Sequence, residues 1–330
     1  MGMLTWPLLT VAAAPHDRGI GIYYDQDLLT PRFNEDRDYT TGVAFEFFWQ
    51  QDGIYPMDQL VKFLGRQLGI HSGSGNTERS FMIGTVNYTP DNLSASDPIF
   101  DDRPYASLIY LSNKRVYAGH ESAVGIDMQF GILGTGVARE VQQALHSFWR
   151  DVADSDRPVD PKGWHNQISN GGEPTIRLRL AYSTLLAESP GRWDLAGTAS
   201  ANIGYQTNLG LGLAVRAGHI TSDVWTLPHD PINRGNFLPS LAGDEWYLWA
   251  AYRGIAVGYD ALLQGQFRDS DVTYSQDDIK NFVHNAAVGL TVTYKPVQVT
   301  FSVNAKSSEL DARAADRDQI WGGIYTTLRF

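Results

Sequence analysis

Apolar and polar residues alternate strictly in segment after segment of this 330-residue chain, and that pattern most restricts its fold. In VQVTFSVNAK, Val297, Val299, Phe301, Val303 and Ala305 are apolar, and Gln298, Thr300, Ser302, Asn304 and Lys306 between them are polar. TIRLRLAY sets Ile176, Leu178, Leu180 and Tyr182 against Arg177, Arg179 and Ala181. LGLGLAVRAG and AVGLTVTY do the same. A period of two is the signature of a strand with two unlike faces.

Such strands fit two architectures. A soluble sandwich buries the apolar row and wets the polar one. A membrane barrel inverts this, with the apolar row toward lipid and the polar row toward the lumen. The strands run to about ten residues, the length a tilted spanning strand requires. Tight connections (YKPV, GYQTN, YAGHE) are expected on one side. Long polar loops such as 219–245 are expected on the other. Tyr117, Tyr205, Trp246, Tyr247 and Tyr294 at strand ends suggest an interfacial girdle. The chain ends on a strand whose lipid-side row reads Ile320, Ile324, Leu328 and Phe330, and a terminal aromatic resembles the insertion signal of bacterial outer-membrane barrels. About twelve segments are countable, with 245–264 long enough to be split in two. The expected fold is therefore all-β: a single antiparallel up-and-down membrane-spanning barrel over residues 19–330. A third reading, a soluble sugar-binding sandwich, leaves the long strands and Phe330 unexplained.

The stretch LTWPLLTVAAA in residues 1–18 ends in small residues, as a signal-peptide remnant or an N-terminal tail does. A formal charge of −11 argues against a nucleic-acid partner. The absence of cysteine excludes disulfide frameworks, thiolate nucleophiles and Cys-ligated zinc.

One segment breaks the pattern. AREVQQALHSFWR reads as an amphipathic helix, the one good helix in the chain, with Val141, Ala144, Leu145, Phe148 and Trp149 on its apolar face and His146 beside it. Three polar clusters lie at strand ends. Asp25, Gln26 and Asp27 offer oxygens of the kind Ca²⁺ takes. EDRDYTTG carries Thr40 and Thr41, whose hydroxyls fall on opposite faces. DDRPYASLIYLS carries Arg103 and Tyr105, a pair suited to an anionic sugar phosphate. Neither a GxSxG elbow nor an HExxH helix is present.

Taken in order, DQDLL with DRDYTTG, DDRPYASLIYLS, GILGTGVAREVQQALHSF and GWHNQISN resemble the outer-membrane lipid A 3′-O-deacylases of Gram-negative bacteria, from about Gly19 to Phe330. The resemblance implies a twelve-stranded monomeric barrel whose site lies at the outer rim, between the wall and a loop helix. It implies Ca²⁺-dependent removal of the 3′-linked acyloxyacyl chain of lipid A. By motif, His146 corresponds to the general base, Gln26 and Asp27 to the residues near the cation, and Thr40 to the hydroxyl that positions water or substrate. Gln26 stands where the family usually has Asn. YTPDNLSASDP has no counterpart of a lysine that some members carry, and Asp151, Asp154 and Asp156 all follow the histidine. The competing class is a non-enzymatic barrel, either a porin-like channel or an inactive relative.

Overall fold

The computed structural model describes residues 18–30, 37–50, 55–70, 76–119, 121–153, 160–227, 243–312 and 314–330. The reading of residues 1–17 lies outside them. Twelve antiparallel strands form one closed barrel in which each pairs with its neighbours in sequence and the first pairs with the last. They are β1 (Arg18–Gln26), β2 (Asp38–Trp49), β3 (Asn76–Thr89), β4 (Ala106–Ala118), β5 (Ser122–Leu133), β6 (Glu173–Ser189), β7 (Trp193–Gly204), β8 (Gln206–His219), β9 (Glu245–Asp260), β10 (Phe282–Tyr294), β11 (Val297–Lys306) and β12 (Gln319–Arg329). Segment 245–264 is one strand, ended by the single turn α3 (Ala261–Gln264).

The polarity is that of a barrel in a bilayer. On β11, Val297, Phe301 and Val303 are exposed while Gln298, Thr300, Ser302 and Asn304 are buried. On β6, Ile176 and Tyr182 are exposed while Arg177 and Arg179 are buried. Charges inside neutralise one another: Lys114 lies 3.4 Å from Glu46, and Arg177 3.8 Å from Asp127. Among the described residues no helix is long and apolar enough to cross a membrane, so the strands supply the apolar surface.

Four expectations need correction. The tight turn GYQTN does not share an end with YKPV and YAGHE. It joins β7 to β8 at the end where β1 finishes, whereas β8 ends and β9 begins at the opposite end, with the other two turns, the start of β1 and the end of β12. Loop length therefore does not sort by side. Tyr205 and Tyr247 are not girdle residues. Both are buried under lumen arginines, Arg177 5.1 Å from the Tyr205 ring and Arg216 4.9 Å from the Tyr247 ring. Tyr294 and Trp246 do face outward.

The remaining two corrections concern helices. Besides α2 (Val137–Ala153) there is α1 (Pro56–Gln67), between β2 and β3. The buried stripe of α2 is not the expected one. Ala138, Gln142 and His146, spaced four apart, are buried, whereas Ala144 is exposed. Ala138 packs with Leu93, Tyr105 and Trp164 and Gln142 accepts from Trp164, so loop residues cover this stripe; the side chains of Leu145, Phe148 and Trp149 lie outside the described set.

Candidate active site at the rim

Alternation splits the first cluster across the wall. Asp25 points into the lumen and accepts hydrogen bonds from Tyr39 Oη (3.0 Å) and Tyr325 Oη (2.9 Å). Gln26, next in sequence, points outward. Asp27 opens a 3-10 turn, Asp27–Leu29, capped by Thr30, which donates from N (3.0 Å) and Oγ1 (2.7 Å) to the Asp27 carbonyl. Leu29 lies on the outer face of Gly322 in β12, where a Cβ would overlap its own. Glycine there is what lets the turn fold back onto the wall.

The expectation for Thr40 and Thr41 changes for a related reason. A register shift between Tyr39 and Thr41 inserts an extra residue in β2. Tyr39 turns inward against Tyr88 and Trp321, and both threonines are left on the outer side. Thr40 Oγ1 lies 2.7 Å from Thr89 Oγ1. Thr41 Oγ1 donates to Gln26 Oε1 at 2.5 Å, and Gln26 Nε2 donates to Asp27 Oδ1 at 3.0 Å.

Gln26, Thr40, Thr41, Asn87, Thr89 and Ser107 thus form a polar row on the outer wall of β1–β4, at a level where other strands present apolar side chains. Every one of them is buried. A buried outward-facing residue must be covered from outside, and for Ser107 the cover is visible. Its Oγ bonds the Thr135 carbonyl (3.3 Å) and Gln167 Oε1 (2.9 Å), both from the segment that carries α2. The same segment crosses loop 90–105 through Ile168 N to Tyr105 O (2.9 Å) and Lys162 N to Leu93 O (2.9 Å).

Under this cover, Tyr105, Trp164, Ala138 and Leu93 form one apolar cluster, with the two aromatic rings 4.8 Å apart. Trp164 Nε1 donates to Gln142 Oε1 at 2.8 Å. The Nε2 of Gln142 is buried with no hydrogen-bond acceptor among the described residues. His146 follows one helical turn later on the same stripe, 5% exposed.

Arg103 and Tyr105, two residues apart, part company. Tyr105 goes to the outer cluster, while Arg103 turns into the mouth of the lumen. There it donates to Glu309 Oε2 at 2.6 Å and lies 4.0 Å over the Tyr88 ring. Glu309 also accepts from Gln319 Nε2 (2.9 Å) and pairs with Lys306. Burial alone would raise the Glu309 carboxyl, but Lys306 and Arg103 outweigh it and hold the group well below the usual carboxylate range. Arg317 then joins two of the motifs: it forks onto Asp38 of DRDY (2.8 and 3.0 Å) and meets Asp102 of DDRP at 2.7 Å.

Whether the rim residues suit Ca²⁺ turns on donor type. Asp27 carboxylate, the Gln26 amide oxygen and the threonine hydroxyls are hard oxygens, which fits the ion in kind. Among the described residues no group of three or more His, Cys, Asp or Glu side chains gathers, so neutral oxygens would have to complete the shell.

Sequence reasoning overlooked Gln142, Trp164, Glu309 and Arg317. Trp164 had a signal, since it sits in GWHNQISN. Arg317 had none, because its partners are far away in sequence.

The family profile described as "Outer membrane protein LpxR" matches residues 2–330. Among solved structures, LpxR from Salmonella typhimurium superposes with a TM-score of 0.68 at 18% identity, covering 94% of this chain and 100% of that one. The β domain of the Bordetella autotransporter BrkA follows at 0.45 and 8% identity, covering 96% and 99%. An outer-membrane channel from Pseudomonas putida F1 gives 0.44 and 10%, covering 99% and 100%. No curated protein sequence matched.

Proposed function

This chain belongs to the LpxR family of outer-membrane proteins, and we propose that it hydrolyses the 3′-linked acyloxyacyl chain of lipid A. The observation that carries this reading is a pair of surfaces. One is an outward-facing polar row that is shut away from lipid, and the other is a loop helix whose buried stripe ends in His146. A polar row on the lipid side of a barrel wall has no purpose in a pore. It suits a reaction that must bring water and an ester together beside a bilayer.

In the proposed mechanism the His146 imidazole takes a proton from water as the water oxygen bonds to the ester carbonyl carbon. The ester C–O bond then breaks, and the proton passes to the departing sugar oxygen. Thr40, fixed by Thr89, positions the water or the substrate. Gln142 Nε2, with no acceptor among the described residues, is a hydrogen-bond donor available to the carbonyl oxygen as charge develops there. Ca²⁺ held by Asp27 and Gln26 would stabilise the same charge as a Lewis acid. Arg103 is better assigned to holding the lumen mouth through Glu309 than to contact with a sugar phosphate. Tyr105 supports the cover through Trp164.

The channel alternative is opposed by the interior. The Arg103–Glu309–Lys306 network crosses the mouth, and the void beside it, lined by Tyr88, Arg253, Asp260, Lys306 and Glu309 among others, holds about 50 Å³. That is room for a water or two.

Mass spectrometry of lipid A incubated with purified protein and Ca²⁺ is the test. Loss of the 3′ acyl chains by wild type, with none by His146→Ala, supports the assignment. Intact lipid A with wild type, or equal deacylation by both, overturns it.

A further inference from the structure

Helix α1 takes no part in the rim site, since it lies at the opposite end of the barrel, where the strand set begins and ends. It is seated on the outside of the wall. Lys114 points into the lumen toward Glu46, so Arg115 beside it on β4 points outward, opposite Arg79 on β3. Two arginines side by side on the lipid face would be costly. Arg115 is instead 2% exposed, and its Nε and Nη2 each donate to a carboxylate oxygen of Asp58 on α1 at 2.7 Å. Gly65 brings the helix down onto β5: a Cβ there would come within 2.9 Å of Ile126 Cδ1 and 3.3 Å of Tyr117 Oη. Ile126 faces outward and is fully covered.

At about 100° per residue the helix divides into three sectors. Asp58, Val61 and Gly65 face the wall and are its buried residues. Leu60 and Phe63 fall away from the wall, on either side of the exposed Gln67, and are 38% and 54% exposed; Leu68, just past the helix end and nearer the wall sector, is 49% exposed. Gln59, Lys62 and Arg66 make the third sector, and Asp58 is the one acid between Tyr55 and Ile70. Tyr55, at the N-cap, meets the outward-facing Trp49 of β2 edge-on, with centroids 6.1 Å apart. Trp49 lies on the same outer row of β2 as the exposed belt residues Phe45 and Phe47. A water-facing helix would have no reason to add large apolar side chains beside an apolar wall.

We propose that α1 is an interfacial helix that binds anionic phospholipid in the membrane leaflet at this end of the barrel. Leu60, Phe63 and Leu68 enter the acyl region alongside the wall, and Lys62 and Arg66 meet the headgroup phosphates. Amphipathic helices with basic polar faces bind membranes in this manner, through buried apolar area plus attraction to anionic lipid. The Asp58–Arg115 pair fixes the depth at which the helix sits.

The chain has no cysteine, so single-cysteine spin labels report cleanly. Labels at Leu60→Cys, Phe63→Cys and Gln59→Cys are compared in vesicles of phosphatidylethanolamine and phosphatidylglycerol, with Phe47→Cys on the wall as reference. The labels at 60 and 63 are expected to collide with oxygen more than with a water-soluble nickel chelate, as at 47, and the label at 59 with the chelate more than with oxygen. Equal chelate access at 63 and 59 overturns the proposal. So does shielding of 63 from both reagents, which would mean a protein contact. For the headgroup, native mass spectrometry counts retained phosphatidylglycerol on wild type and on the Lys62→Gln/Arg66→Gln double variant. Retention is expected to fall roughly thirtyfold, the combined effect of two basic residues near an anionic surface. Equal retention overturns that half.

Discussion

Trp164 holds Gln142 by a 2.8 Å hydrogen bond from its indole nitrogen, one helical turn before His146. This bond and the tilted contact of Trp164 with Tyr105 tie α2 to the later part of its own segment and, through it, to loop 90–105. Trp164→Phe keeps an aromatic ring against Tyr105 and removes the donor, leaving a buried Gln142 oxygen unsatisfied at a cost of about 1–3 kcal/mol. Deacylation by this variant should fall about tenfold or more while the barrel remains folded, because small displacements of a base are expensive in rate. Steady-state rates beside the heat-modified mobility of the barrel check this, and unchanged rates would show that the latch does not matter.

Gln142→Leu separates two roles of the same residue. It loses the latch and also the buried Nε2 donor. If that donor meets the developing oxyanion, the loss in kcat should exceed the loss in Trp164→Phe by about a further tenfold or more. Equal losses would confine Gln142 to positioning.

Gly322→Ala addresses the turn that carries Asp27. The added methyl collides with Leu29 Cβ, so the turn must lift from β12. Activity should drop severalfold and the Ca²⁺ requirement should rise, with heat stability of the barrel little changed. A Ca²⁺ titration of the variant against wild type is the measurement.

Gln26→Asn tests the departure in the rim amide. Gln26 spends its amide hydrogen on Asp27 Oδ1 and its oxygen on Thr41. A side chain one methylene shorter releases the carboxylate, so half-saturation by Ca²⁺ should fall severalfold. Chelation should abolish activity in both proteins. Activity that persists in chelator would remove the cation from the reaction.

Glu309→Gln strips the lumen mouth of the charge that faces Arg103 and Lys306, and leaving such charges buried costs about 3–5 kcal/mol. The pH dependence has a defined sign. Because the folded-state carboxyl is held below its ordinary value, its contribution is complete above the unfolded value of about 4.3 and is lost as pH falls toward the folded one. Thermal unfolding of wild type in detergent should therefore weaken below about pH 4.3, and that part of the slope should vanish in Glu309→Gln.

The barrel was legible because a strand with one face in lipid advertises itself in every second residue, as β6, β8, β10 and β11 do. Where alternation stops, so does the reading. The shift at Tyr39 and Thr41 sends both threonines outward, and nothing in YTTG marks an inserted residue. Loop sides were misassigned because a loop's length carries no record of which end it closes; only strand pairing places GYQTN beside the rim. Helix α1 was overlooked although PMDQLVKFLGRQ is amphipathic and opens on a proline at its first turn, a start signal that the strand count passed over. On α2 the apolar count favoured Val141 and Ala144, whereas the residues that are buried are Ala138, Gln142 and His146, because loop residues Tyr105 and Trp164 cover that stripe.

The rim site straddles the seam at which the barrel closes. Gln26 belongs to the first strand and pairs with Gly322 of the last, Leu29 rests on that same glycine, and Asp25 is bonded to Tyr325 across the join. These residues are strangers until about three hundred others have been threaded and the two ends of the sheet meet. A chain still in transit carries the parts of the proposed site without the site, so closing the barrel and assembling the site are one event.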